Sequence, residues 1–208
     1  MNNDTQRIGI ETSLDSSTGT WTIISNMTSA RWIHTAIILT NGKVLVSGGQ
    51  AIGSYLNSAE LYDPLTGSWA ATGSMNHLRV LHMVSILTNG IVLVTGGYNI
   101  SSFLNSAELY DPSIAAWTIT ASMNYTRDRH SATILSNGKV LVSGGQNSGG
   151  AFNNTELYDP MTGMWTITNS LIYARTAHTA SALTNGKVLA AGGIHGGVYL
   201  NSSELYQL

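Results

Sequence analysis

The sequence predicts an all-β fold, a β-propeller of four four-stranded antiparallel blades closed by pairing of its N- and C-terminal strands. Three observations carry this reading. One 48-residue unit recurs four times without insertion or deletion. Each unit holds four short apolar runs separated by turn residues, and no stretch has a helical period. Trp21, Trp69, Trp117 and Trp165 mark the period, as do the pairs Gly48-Gly49, Gly96-Gly97, Gly144-Gly145 and Gly192-Gly193. A fixed period of this length is the signature of a repeat architecture.

The elements follow in order within one unit. His34 to Leu39 (HTAIIL) is short, apolar and bounded by polar residues, so it reads as a strand. Asn41-Gly42 then predicts a type I′ turn with positive φ at both residues. Val44 to Val46 is a second strand, apolar on both faces and so expected to be buried on both. Gly48-Gly49 ends it, supplying positive φ and close backbone approach. Gln50 to Leu56 reads as a loop, and Ser58 to Tyr62 as a third strand. Asp63-Pro64-Leu65-Thr66-Gly67 is turn chemistry: Asp accepts from the backbone two residues on, Pro fixes φ, and Gly takes a left-handed position. Ser68 to Ala71, carrying Trp69, is the fourth strand. The Trp and Tyr of each blade are expected to pack against the next blade.

The run ending in Gly-Gly, followed by Tyr and Trp seven positions apart (Tyr62/Trp69, Tyr110/Trp117, Tyr158/Trp165), resembles the kelch repeat. The fuller string NSAELYDPLTGSW, with Arg31-x-x-His34 upstream, is similar to the kelch subtype of the galactose oxidase propeller domain. The resemblance covers Gly19 to Tyr206. It implies the propeller fold but no single activity, because kelch propellers include oxidases, sugar epimerases and protein-binding adaptors.

Strand counting predicts how the ends meet. First strands begin at 34, 82, 130 and 178, and third strands span 58–62, 106–110, 154–158 and 202–206. Fourth strands recur at Trp69, Trp117 and Trp165, with an extra copy at Thr20-Trp21. The extra copy is therefore expected beside 202–206, completing the last blade and removing exposed sheet edges. Residues 1–18 read as a degenerate partial repeat or a disordered segment, and 19–208 as one propeller domain. A monomeric ring is favoured on this count. An eight-blade ring of two chains and a fragment of a larger ring are the alternatives.

Composition narrows the function classes. The net charge is −2 with no basic run, which disfavours nucleic acid and acidic membrane surfaces as partners. No run of 18 apolar residues would form a spanning helix. Met1 to Ser13 is polar, so no signal peptide is expected there. With no cysteine there is no disulfide, thiolate metal site or cysteine nucleophile, and the compartment stays open. The thioether-linked tyrosine of galactose oxidase, implied by the subtype resemblance, has no cysteine to form from.

Residues identical in every unit read as scaffold. His34, His82, His130 and His178 begin the innermost strands and approach the axis. A metal site is the sharper interpretation of them and structural bonding the plainer one, which the repetition favours. No metal or other cofactor is expected. Arg31, Arg79, Arg127 and Arg175 recur with Glu60, Glu108, Glu156 and Glu204, pointing to a ring of Arg–carboxylate bridges. Four equivalent copies do not suit catalysis, which needs different groups in different roles.

Residues that differ between units are the candidates for a specific site. The kelch resemblance places the loop before the first strand and the loop after Gly-Gly on one face around the channel. That face would gather Trp32, Gln50, Tyr55, Tyr98, Asn99, Asp128, Arg129, Gln146, Asn147, His195 and Tyr199. Aromatics with amides and a charged pair suit a protein, a peptide or a glycan. The favoured reading is a non-catalytic binding module. The alternatives are a sugar-modifying enzyme using Asp128, Arg129 and His195, and a structural fragment without ligand.

Overall fold

The apolar runs of each unit form the strands of one antiparallel sheet, in sequence order from the inner edge to the outer. The protein was analysed as a computed structural model that describes residues 19–207; the degenerate segment over 1–18 lies outside the described residues. Blade 1 consists of Thr35–Ile38, Val44–Ser47, Ala59–Asp63 and Ser68–Thr72. Blade 2 is Met83–Ile86, Val92–Thr95, Ala107–Asp111 and Ala116–Thr120, and blade 3 is Ser131–Ile134, Val140–Ser143, Thr155–Asp159 and Met164–Thr168. Blade 4 has three strands, Thr179–Ala182, Val188–Ala191 and Ser203–Tyr206. The register repeats: Val44 faces Tyr62 and Tyr62 faces Trp69, as Val140 faces Tyr158 and Tyr158 faces Trp165.

The fold is that of an all-β propeller, and the core lies between blades. Val92, Val94, Tyr110 and Trp117 of blade 2 pack on Leu39, Leu45 and Ala59 of blade 1. Val140, Val142, Tyr158 and Trp165 pack in the same way on Leu87, Leu93 and Ala107 of blade 2. Trp and Tyr thus bury against the preceding blade, not the next one as expected. The indole N–H fixes the direction: Trp117 Nε1 donates to the Gly73 carbonyl at 2.7 Å, and Trp165 Nε1 to that of Ala121 at 2.9 Å. The Tyr110 and Tyr158 hydroxyls likewise bond Thr72 and Thr120 of the blade before. Burying a ring of this size contributes on the order of 3–5 kcal/mol per junction.

Two turns differ from expectation. At Asn41-Gly42 only the glycine has positive φ (80°). The Gly42 N–H donates to the Leu39 carbonyl at 2.9 Å, and the Leu39 N–H to that of Lys43 at 2.8 Å. The connection is therefore a three-residue loop, a type I turn followed by a left-handed glycine. The Asn41 side chain accepts from the Lys43 N–H at 3.1 Å, which holds the turn without Asn41 going left-handed. In Gln50–Leu56 the expected loop contains a small hairpin, Gln50–Ala51 against Ser54–Tyr55. Equivalent hairpins pair Gln146–Asn147 with Gly150–Ala151 and Ile194–His195 with Val198–Tyr199.

The expected clasp is not formed. Residues 20–24 are not in a strand, Trp21 is fully exposed, and among the described residues Ser203–Tyr206 pairs only with Val188–Ala191. The inner strands neighbour one another in series, and the last does not pack on the first as the others do on theirs. A run of backbone bonds records the same opening. Leu81 N–H donates to the Ile33 carbonyl (3.5 Å), Arg129 to Leu81 (3.1 Å) and Ala177 to Arg129 (2.8 Å). Among the described residues no bond returns from Ile33 N–H to Ala177. Among the described residues the four sheets form an open arc whose two end faces are unmatched.

Candidate functional site

The two variable loops of each unit are joined at the backbone. Trp32 bridges Gln50, Val80 bridges Tyr98, Asp128 bridges Gln146, and Thr176 bridges Ile194. The first residue of each pair lies just before an inner strand, and the second just after Gly-Gly. The glycine pair makes this approach possible: a Cβ on Gly145 would stand 2.7 Å from the Asp128 carbonyl, and one on Gly144 2.5 Å from that of Arg175. One rim therefore carries these loops from all four blades.

On that rim Trp32 is 60% exposed and Tyr199 84%. Tyr55 and Tyr98 meet edge-to-face at 6.4 Å, and Tyr98 meets Phe103 at 5.1 Å. Asn99 turns back on its own loop, its side-chain oxygen accepting from the Ser101 and Ser102 N–H groups. Asn147 does the same with Gly149 N–H at 2.9 Å. These two amides hold their loop tips with their side-chain oxygens. Phe103 was not among the sequence candidates. It occupies the column of Tyr55 and Tyr199, and that column was its signal.

Asp128 is buried, and burial pushes its carboxyl up to about 6 against the opposing pull of Arg129 and Gln146. Its Oδ1 has no hydrogen-bond partner among the described residues. Arg129, at φ 49°, lines a concave space of about 430 Å³ with Ile33, Leu81, Ala177 and the inner-strand histidines. His195 lies on an exposed hairpin, and no hydrogen bond joins it to Asp128 or Arg129 among the described residues. The three residues of the enzymatic alternative are thus not bonded into one constellation.

The repeated polar residues lie below the rim. Arg79 Nη2 meets Glu108 Oε1 at 2.7 Å, and Arg79 Nη1 donates to the Gly96 and Ser106 carbonyls. Glu108 also accepts from the Asn76 and His77 N–H groups, on the segment arriving from blade 1. Arg31–Glu60 (2.7 Å), Arg127–Glu156 (2.7 Å) and Arg175–Glu204 (2.8 Å) repeat the bridge. Each Glu therefore captures the crossover entering its blade, and each Arg ties the blade's second and third strands to it. Burial alone would raise the Glu108 carboxyl, but hydrogen bonds from Asn76 and the Arg79 charge outweigh it and hold it low.

The histidines reach backwards across the junctions. His82 Nε2 is 2.7 Å from Thr35 Oγ1, His130 Nε2 2.8 Å from Thr95 Oγ1, and His178 Nε2 3.2 Å from Ser143 Oγ. Burial, with the neighbouring arginine, depresses His82 to about 3 and His178 to about 4. They are neutral across the physiological range. No group of three or more His, Asp or Glu is arranged to hold a metal among the described residues.

The sequence pattern of the kelch motif matches residues 33–76, 81–124 and 129–172, more than half of the chain. The chain belongs to the kelch-motif family. Each matched kelch unit begins at the left-handed residue before an inner-strand histidine and runs through the outer strand into the next crossover. No curated protein matches the chain. Kelch repeats generally serve as protein-interaction modules, and a non-catalytic binding role is compatible with this kelch chain.

Proposed function

We propose that this kelch chain is a non-catalytic interaction module that binds a protein or peptide on its loop rim, with a glycan as the second ligand class. The rim itself is the observation that supports it: backbone-bridged loops from four blades present exposed Trp32 and Tyr199 and carry the Tyr55–Tyr98–Phe103 cluster. Rigid aromatics on a braced backbone lose little conformational freedom on binding, which suits a recognition surface. Gln50 and Gln146 lie on the same bridged loops, while Asn99 and Asn147 fix the loop shapes. The string NSAELYDPLTGSW supports a place within the galactose-oxidase-like subtype for scaffold alone, since the chain has no cysteine.

Selection of a random-peptide display library on the protein tests this reading. Enriched peptides are expected to lose roughly tenfold or more in affinity with Trp32→Ala combined with Arg129→Ala. Both changes suit the fold: Trp32 is exposed, and Ala177 already occupies the Arg129 position in blade 4. Enrichment that ignores both substitutions would refute the rim as the site, and binding to a glycan array alone would refute the peptide class.

One observation favours a second reading. The raised carboxyl of buried Asp128 is poised for proton transfer near neutrality. Turnover on a panel of sugars, abolished by Asp128→Asn, would support an enzyme of the sugar-modifying kind.

A further inference from the structure

The two ends of the arc are complementary, and a vacant seat marks where they meet. A cavity of about 500 Å³ lies between blades 3 and 4, lined by Asn169, Leu171, Ile172, Glu204 and Tyr206 among others. At the two preceding junctions the matching acceptor is engaged by an indole: Gly73 by Trp117 and Ala121 by Trp165. Asn169 stands 48 residues after Ala121, so its carbonyl is the third acceptor of the series. No indole fills the cavity, and the outer edge of Ser203–Tyr206 has no partner among the described residues.

The end faces carry the same two surfaces that pack at every internal junction. Blade 1 presents Val44, Tyr62 and half-buried Trp69, equivalent to Val92, Tyr110 and buried Trp117. Blade 4 presents Leu183, Leu189 and Leu205, equivalent to Leu39, Leu45 and Leu61, with Leu205 58% exposed. A surface pair of this kind is heterologous and recurs head to tail until the rotation closes.

Residues 20–24 (TWTII) match the outer strands of blades 2 and 3 (AWTIT and MWTIT). The crossover at Thr28-Ser29 constrains where they can lie. The Thr28 and Ser29 N–H groups donate to Glu60, as Asn76 and His77 do to Glu108. Trp21 precedes Thr28 by the same interval as Trp69 precedes Asn76. Residues 20–24 can therefore serve as an outer strand only in a sheet packed directly on the free face of blade 1. In this open arc blade 4 of the same chain is not there.

We propose that the sheet is supplied by a second copy of this chain. Residues 20–24 of one copy add to Ser203–Tyr206 of the other, the Trp21 indole fills the cavity, and its N–H donates to the Asn169 carbonyl. The register follows from blade 3, where Tyr158 faces Trp165 and Thr155 faces Thr168. Trp21 then faces Tyr206, and Ile24 faces Ser203. Exchange in both directions gives a ring of eight blades from two chains, with no unpaired outer edge on the last blade.

Light scattering on the full chain is expected to give twice the 22.1 kDa chain mass. Trp21→Ala should weaken the dimer by roughly 100-fold or more while leaving each arc folded, because Trp21 is exposed within its own chain. With no native cysteine, crosslinking is unambiguous. A mixture of Ile24→Cys and Ser203→Cys single variants should form the mixed disulfide on oxidation. A monomer at micromolar concentration, a dimer indifferent to Trp21→Ala, or no mixed disulfide would each overturn the proposal. So would a double variant that closes only within its own chain, which would show a one-chain ring instead.

Discussion

Acid should destabilise this protein above the pH at which its depressed glutamates titrate, and the histidine row sets the size of the effect. His82 and His178 are depressed from 6.5 to about 3 and about 4 by burial and by Arg79 and Arg175 respectively. The folded state refuses protons that the unfolded chain accepts, so stability is lost as pH falls below the unfolded value. Moving from about pH 7.5 to about pH 5 costs about 2 kcal/mol for each of these two residues. His130 is also depressed and adds a loss of the same sign. Asp128 opposes them: its folded value of about 6 lies above the usual 3.8, so it takes up a proton in the folded state. That returns about 1 kcal/mol over the same interval. The depressed carboxylates Glu60, Glu108 and Glu204 lose their contribution mainly below their ordinary value of 4.5, outside this window. From the two histidines and Asp128 the net loss is about 2–3 kcal/mol. Urea melts at the two pH values measure it directly, provided the slope with denaturant is unchanged. In the double variant His82→Gln/His178→Gln about 4 kcal/mol of loss should disappear, leaving only the opposed contributions of His130 and Asp128. Equal stability at both pH values in the parent protein, or an unaltered pH dependence in the double variant, would refute the assignment of these histidines as neutral and buried.

Two further outcomes test the scaffold. Glu108→Gln should cost about 3 kcal/mol, because it leaves the Arg79 guanidinium buried without its counter-charge; Glu204→Gln, at the more open blade 4, should cost less, and equal urea midpoints would refute the contrast. Ala115 has φ 53° where Gly67 and Gly163 occupy the equivalent turn, so Ala115→Gly should raise stability by up to about 1 kcal/mol, read as an upward shift in Tm.

The blade was legible in the sequence because its determinants are local: short apolar runs, Gly-Gly stops and the Asp–Pro–x–Thr–Gly turn act within a few residues. The Asn41-Gly42 turn was not, because the same dipeptide serves two loop geometries, and the Lys43 N–H bond to the Asn41 side chain selects one. The direction of Trp packing was not legible either. Whether Trp117 leans forwards or backwards depends on sheet twist and on the free Gly73 carbonyl, neither of which is written in spacing. The clasp failed for a related reason. Strand counting balances edges but carries no angle, and the angle between blades decides whether Thr20-Trp21 can reach Ser203–Tyr206. At the rim, close backbone approach at the Gly-Gly pairs was legible but the bridging it permits was not, and the inward-turned amides of Asn99 and Asn147 arise from local turn geometry that composition does not reveal.

The backbone run from Ile33 through Leu81 and Arg129 to Ala177 has a consequence for how such arrays diversify. The link between neighbouring blades at the channel is made by main-chain atoms of residues in one unusual conformation. Pitch is thereby decoupled from side-chain identity. Isoleucine, leucine, arginine and alanine all stand at that position within a single chain, and the link is made at each junction. The channel wall is thus a blank on which aliphatic, cationic or small groups can be written one blade at a time, without renegotiating the geometry that holds the blades in step.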